Sequence, residues 1–80
     1  MVELNSNQDE ERNMRMAVSL KAHRVNLNMT LKEAADKLGV TIQTLSSWEN
    51  GKTYPDVLQI KKIEKEYGVG YDDIIFLTND

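Results

Sequence analysis

Between Leu31 and Asn50 apolar residues recur at helical spacing in two short runs, and a single glycine, Gly39, separates them. Leu31, Ala34, Ala35 and Leu38 stand at i, i+3, i+4 and i+7, which is one face of a helix about two turns long. Thr30 precedes that run and Glu33 follows three residues later, the pairing of a capping box. Gly39 then ends the helix in the left-handed conformation that glycine adopts without steric cost. Thr41 is a second N-cap, and the helix it opens runs to Asn50, with Gly51 as its C-terminal stop. Helices this short are marginal on their own. The segment is therefore confined to two helices across a tight turn, which must bury their apolar faces against each other and against the rest of the chain.

The rest of the chain supplies that cover. Eighty residues, 40% of them hydrophobic, make one small domain. Residues 1–12 lack periodicity and read as an acidic N-terminal arm, and residues 13–78 as the folded domain. From Asn13 to Leu27 a further helix is predicted, with Ala17, Leu20 and Leu27 on one stripe and the charged Arg24 among them. Tyr54-Pro55-Asp56 marks a turn into a fourth helix, whose Val57, Ile60, Ile63 and Tyr67 face inward before Gly68 closes it. A short final helix is expected from Tyr71 to about Phe76. No alternating β pattern is evident, so the fold class is all-α, a compact five-helix domain.

Two short helices across a three- or four-residue turn containing glycine form a helix-turn-helix. Ala35 sits where the second helix must approach closely, and Ala34, Leu38, Val40, Leu45 and Trp48 fill the places that hold the pair together. At about 100° per residue, Ile42, Ser46, Asn50, Gln43 and Ser47 share one arc of the second helix, while Thr44, Leu45, Trp48 and Glu49 lie opposite. The outer arc is uncharged, short and able to hydrogen-bond, where an ordinary solvated face would carry Lys and Glu. Such a face suits docking onto base edges. Trp48, on the inward arc, reads as core rather than as a platform for stacking a base.

Over roughly residues 13–77 the chain resembles the helix-turn-helix domain of the phage repressor and Cro family (XRE type) of bacterial transcription regulators. The likeness lies in the run Thr41-Ile42-Gln43-Thr44-Leu45-Ser46-Ser47-Trp48-Glu49-Asn50-Gly51-Lys52, then Pro55, then Tyr67-Gly68-Val69. The resemblance implies a lambda-repressor-like fold whose helix 41–50 enters the major groove while the preceding helix crosses the DNA backbone. Ile42, Gln43, Ser46 and Ser47 are then the expected base-contacting residues, and Thr41, Asn50, Lys52 and Thr53 the expected backbone contacts. Lys32 and Lys37 are candidates for sequence-independent attraction. Ile42 stands where the family often has glutamine, as does Leu31, so the backbone contact at Leu31 is not carried over. Arg24 and Glu49 both fall on inward faces and are expected to form a buried ion pair, which the family also has at these positions.

Only the distribution of charge reconciles a nucleic-acid partner with a formal net charge of -3. Residues 1–11 carry -4, residues 12–55 carry +4 and residues 56–80 carry -3, so the central region is basic between acidic flanks. Cysteine is absent, so no disulfide or thiolate metal site is expected. No signal peptide or membrane-length apolar run is visible, and a soluble, cytoplasmic protein is expected. His23 has no metal-spaced partner and reads as a solvated helix residue, Asp72-Asp73 as a complement to a helix N-terminus, and Lys61, Lys62 and Lys65 as a solvent face. No nucleophile–base pair or phosphate loop points to an enzyme, and no cofactor, metal or small-molecule ligand is indicated. The expected partners are palindromic double-stranded DNA and a second copy, docked through Tyr71 to Leu77, where Ile74, Ile75, Phe76 and Leu77 are more apolar than one short helix can bury. The alternative is a protein-interaction module, such as an antitoxin or antirepressor, with weak DNA affinity.

Overall fold

The computed structural model describes residues 17–77; the expected arm at 1–12 and the start of the expected first helix lie outside them. Four α-helices, a 3-10 turn and two very short strands follow in the order β1 (Val18–Ser19), α1 (Leu20–Asn26), α2 (Leu31–Leu38), α3 (Ile42–Glu49), α4 (Val57–Tyr67), the 3-10 turn Tyr71–Asp73 and β2 (Ile74–Ile75). The domain is mostly helical, as expected, but two elements differ from the sequence reading.

The first difference is the start of α1. Ser19 interrupts the long helix predicted from Asn13, because its hydroxyl accepts the Ala22 N–H at 3.1 Å and caps a new helix at Leu20. Ala17 therefore falls before the helix, and Leu27, predicted inward, is the C-cap and is 45% exposed. The second is the C-terminal segment. Instead of a fifth helix, a single 3-10 turn gives way to Ile74–Ile75, which pairs in parallel with Val18–Ser19, Val18 opposite Ile74 and Ser19 opposite Ile75. Consecutive β-branched isoleucines favour the extended form, and Val18 supplies a partner of the same kind. The fold is thus not purely helical.

The capping signals between these ends hold. Thr30 and Glu33 exchange hydrogen bonds at 3.1 and 2.9 Å, and the bond from Thr30 N–H holds the Glu33 carboxyl below its ordinary value. Asp56 and Gln59 form the same box at the start of α4, at 2.8 and 2.7 Å. Between α1 and α2 the chain reverses through Asn28, a non-glycine residue at φ 59°, which asparagine tolerates better than most.

Leu20, Ala34, Ala35, Leu38, Leu45, Trp48, Ile63, Tyr67 and Ile74 form the core. Ala34 and Ala35 are essentially inaccessible, and their small side chains let α3 lie close on α2. Val57 departs from the expected inward stripe of α4 and is 68% exposed. Ile63 and Tyr67 keep the stripe.

Two charged residues are buried with this core, Arg24 of α1 and Glu49 of α3. Arg24 Nε donates to Glu49 Oε2 at 2.7 Å and Nη2 donates to Oε1 at 3.2 Å, while Nη1 donates to the Met29 carbonyl at 2.8 Å. The hydrogen bond to Glu49 raises the Arg24 pKa further above its ordinary value, against the opposing effect of burial. Tyr67 lies beside this pair, and its hydroxyl is buried with no hydrogen-bond partner among the described residues. Burial first, and the Glu49 charge second, push its phenol from 10.0 up to about 12, with Arg24 pulling the other way.

The phenol releases its proton at higher pH in the folded chain than in the unfolded one. Its contribution to stability is therefore complete below pH 10 and is lost between pH 10 and about 12. Tyr67→Phe removes both the unpaired hydroxyl and this titration. The variant should be more stable by about 1 kcal/mol at pH 8, and its advantage should widen at pH 11. Urea unfolding of both proteins at the two pH values measures this; a variant less stable than the parent at pH 8 contradicts it.

Candidate nucleic-acid interface

Thr41 opens α3, its hydroxyl accepting the Thr44 N–H at 3.1 Å and donating to Thr44 Oγ1 at 3.0 Å. Leu45, Trp48 and Glu49 turn inward and are buried, while Thr44 is half-buried. On the other side Thr41, Ile42, Gln43 and Asn50 are exposed, with Ser46 and Ser47 half-buried between them. The arc drawn from the helical period is thus one continuous surface, and it carries no charge. Trp48 is core, 3% exposed.

Hydrogen bonding divides this surface into free and occupied groups. The N-terminal amides of Ile42 and Gln43 precede the first intrahelical bond of α3 and face outward as donors. Thr41 is different, because its hydroxyl is already used on Thr44. At the far end Asn50 Nδ2 donates to the Ser46 carbonyl at 2.9 Å and to Ser46 Oγ at 3.2 Å. Beyond it, the Lys52 and Thr53 N–H groups both turn back to the Ser47 carbonyl, at 2.9 and 3.4 Å. That loop therefore presents side chains, not backbone donors. On α2, Lys32 pairs with Asp36 at 3.0 Å across an exposed turn, a surface pair of little energetic weight.

Two contacts that hold this loop are not legible in the sequence. Tyr54 Oη donates to the Leu77 carbonyl at 3.1 Å, tying the loop to the C-terminal segment. Gly51 lies beneath the same residue: a Cβ there would stand 2.6 Å from the Leu77 carbonyl oxygen. Sequence spacing marks Gly51 as a helix stop but gives no sign of a chain passing over it. His23 is likewise not the solvated residue expected; it is half-buried and its Nε2 donates to the Asp73 carbonyl, linking α1 to the 3-10 turn. Asp73 behaves as expected, accepting the Gly70 N–H at 2.9 Å. Among the described residues no group of three or more His, Asp or Glu side chains is placed to hold a metal, and no helix is long and apolar enough to cross a membrane.

The model of the helix-turn-helix family matches residues 20–74, from the start of α1 into β2. The chain belongs to that family, in its XRE-type, phage repressor and Cro branch. It is 38% identical over 65 residues to an uncharacterized HTH-type transcriptional regulator of Methanocaldococcus jannaschii, covering 81% of this chain and 98% of the relative. It is 35% identical over 52 residues to the HTH-type transcriptional activator BcrR of Enterococcus faecalis, covering 65% of this chain and 26% of the activator. A stretch of 51 residues is 41% identical to a type II methyltransferase of Lactococcus lactis, covering 60% of this chain but only 13% of that enzyme. No solved structure is a significant match.

Gly51 sits at φ 73° and would drive a side chain into Leu77 backbone, whereas Gly39, at φ 71°, faces only the mobile tip of Lys62 at 3.4 Å. Gly51→Ala should cost about 2 kcal/mol or more, and Gly39→Ala about 1 kcal/mol, from backbone strain alone. Equal losses in urea unfolding would show that Leu77 does not bear on Gly51.

Proposed function

We propose that the protein is a sequence-specific double-stranded DNA-binding transcription regulator, with α3 in the major groove and α2 across the backbone. The observation that carries this reading is the uncharged, hydrogen-bonding outer face of α3, on a helix locked from behind by Glu49 and Arg24. Membership of the helix-turn-helix regulator family supports it. Gln43 reads adenine through N6 and N7, Ser46 and Ser47 read neighbouring base edges, and Ile42 meets a thymine methyl. Phosphates are held by the Ile42 and Gln43 amides beside Thr41 and by the Lys52 and Thr53 side chains. Asn50 stands at the same edge, with its amide turned onto Ser46. The regulator works in the cytoplasm and acts as a repressor, by occupying its operator.

Gln43→Ala should weaken binding to the selected operator by about 10- to 100-fold with little effect on random DNA. Lys52→Ala should weaken both equally and flatten the dependence of log affinity on log salt by about one unit. Titrations of both duplexes at several salt concentrations measure this; affinity independent of salt favours a protein partner instead.

The operator is palindromic and is bound by a homodimer with half-sites about 34 Å apart. Its interface is the C-terminal segment, where Tyr71, Ile75 and Leu77 are each between 45% and 53% exposed, together with Tyr54, which bonds to Leu77. Tyr54, Pro55, Ile60, Tyr71 and Phe76 line an open cavity of about 250 Å³ in it. Ile74, by contrast, is buried in the core and takes no part. Ile75→Glu should lower the sedimentation coefficient at high micromolar concentration from dimer to monomer; a parent protein that is already monomeric there removes the dimer.

A further inference from the structure

Serine is an ambiguous reader of DNA, because its hydroxyl can both donate and accept. At Ser46 that ambiguity is reduced by a neighbour. Asn50 Nδ2 lies 2.9 Å from the Ser46 carbonyl oxygen. A carbonyl can only accept, so it is the NH2 end of the Asn50 amide that faces Ser46, whichever way the amide is first drawn. The same nitrogen lies 3.2 Å from Ser46 Oγ, and there too it donates. Ser46 Oγ therefore has one of its two lone pairs taken by Asn50, and its proton is directed away from Asn50. Ser47 has no such clamp: its carbonyl is held by the Lys52 and Thr53 amides, but its hydroxyl carries no bond from Asn50.

We propose that Asn50 is a positioning residue that fixes Ser46 as a hydrogen-bond donor toward DNA and so sets a base preference at one operator position. The inference rests on the DNA-binding reading above. In the major groove guanine offers N7 and O6, adenine N7 and thymine O4 as acceptors, whereas cytosine offers only its N4 amino donor. A serine held as a donor donates to the first three and disfavours cytosine. Asn50 thus contributes to specificity without touching a base, and the Asn50–Ser46 pair, four residues apart on one helix face, acts as a single reader.

The test is site selection from a random duplex pool, followed by titration of the four bases at the position whose preference changes in Ser46→Ala. The parent protein should disfavour cytosine there by about fivefold, as expected for one neutral hydrogen bond, weaker than a bidentate contact. Asn50→Ala, and the isosteric Asn50→Asp, which cannot donate, should each reduce that discrimination below about twofold. Discrimination at the position read by Gln43 should persist in both. Asn50→Ala in the Ser46→Ala background should change base preference no further. If Asn50→Ala fails to fold, by circular dichroism, Asn50→Asp gives the same readout. Cytosine discrimination unchanged in the folded Asn50 variants overturns the inference. So does a uniform loss at every position, which marks Asn50 as a helix cap and nothing more. A parent protein with no base preference anywhere overturns the DNA-binding reading itself.

Discussion

The buried contact between Arg24 and Glu49 is the constraint around which the rest of this domain is arranged. Arg24 makes hydrogen bonds to both Glu49 carboxylate oxygens and to the Met29 carbonyl, so one side chain joins α1, the α1–α2 loop and α3. A buried ion pair adds little net stability compared with well-packed apolar residues. What it imposes is orientation. Two desolvated charges tolerate only a geometry in which each is paired, and here the planar guanidinium meets the carboxylate side-on, through Nε and Nη2. Rotating α3 about its axis would strand both charges, so the direction of its outer arc is fixed as well. That arc carries Ile42, Gln43, Ser46 and Ser47.

The same logic separates the two surfaces of the molecule. The outer face of α3 is uncharged, with the exposed Ile42 among Gln43, Ser46 and Ser47, and Lys37 and Lys52 sit on the preceding helix and the following loop. Of the exposed apolar side chains, Val57 and Leu58 lie at the start of α4 and Tyr71, Ile75 and Leu77 in the C-terminal segment, while Val25 and Leu27 lie at the end of α1 and Ile42 on α3. Tyr54 connects the two regions, packing edge-on against Phe76 with ring centroids 6.5 Å apart while its hydroxyl holds Leu77. The loop after α3 and the apolar face are therefore mechanically continuous. With a net charge of -3 the chain attracts phosphate weakly overall.

Much of the fold was legible because its signals are local. Capping residues bond to amides three positions away, and a left-handed glycine ends a helix whatever lies around it, so Thr30, Gly39, Thr41 and Asp56 announce the boundaries of α2, α3 and α4. The outer arc of α3 follows from the helical period alone. The Arg24–Glu49 pair was legible for a different reason: a charge on an apolar stripe demands a partner, and only one other residue posed the same demand. The ends of the domain were not legible. Val18–Ser19 and Ile74–Ile75 are each too short to carry an alternating pattern, and each takes its strand form only from the other.

The amino-acid sequence by itself determined the two short helices, the turn between them and which residues of α3 face outward, since these depend on contacts within one or two helical turns. Tertiary structure decided what no local rule contains. It set α1 to begin at Leu20, turned the expected last helix into a 3-10 turn and a strand, drew His23 onto the Asp73 carbonyl and laid Leu77 over Gly51. These contacts join residues some 26 to 56 positions apart. Their strength depends on burial and on a partner that only the folded chain brings within reach.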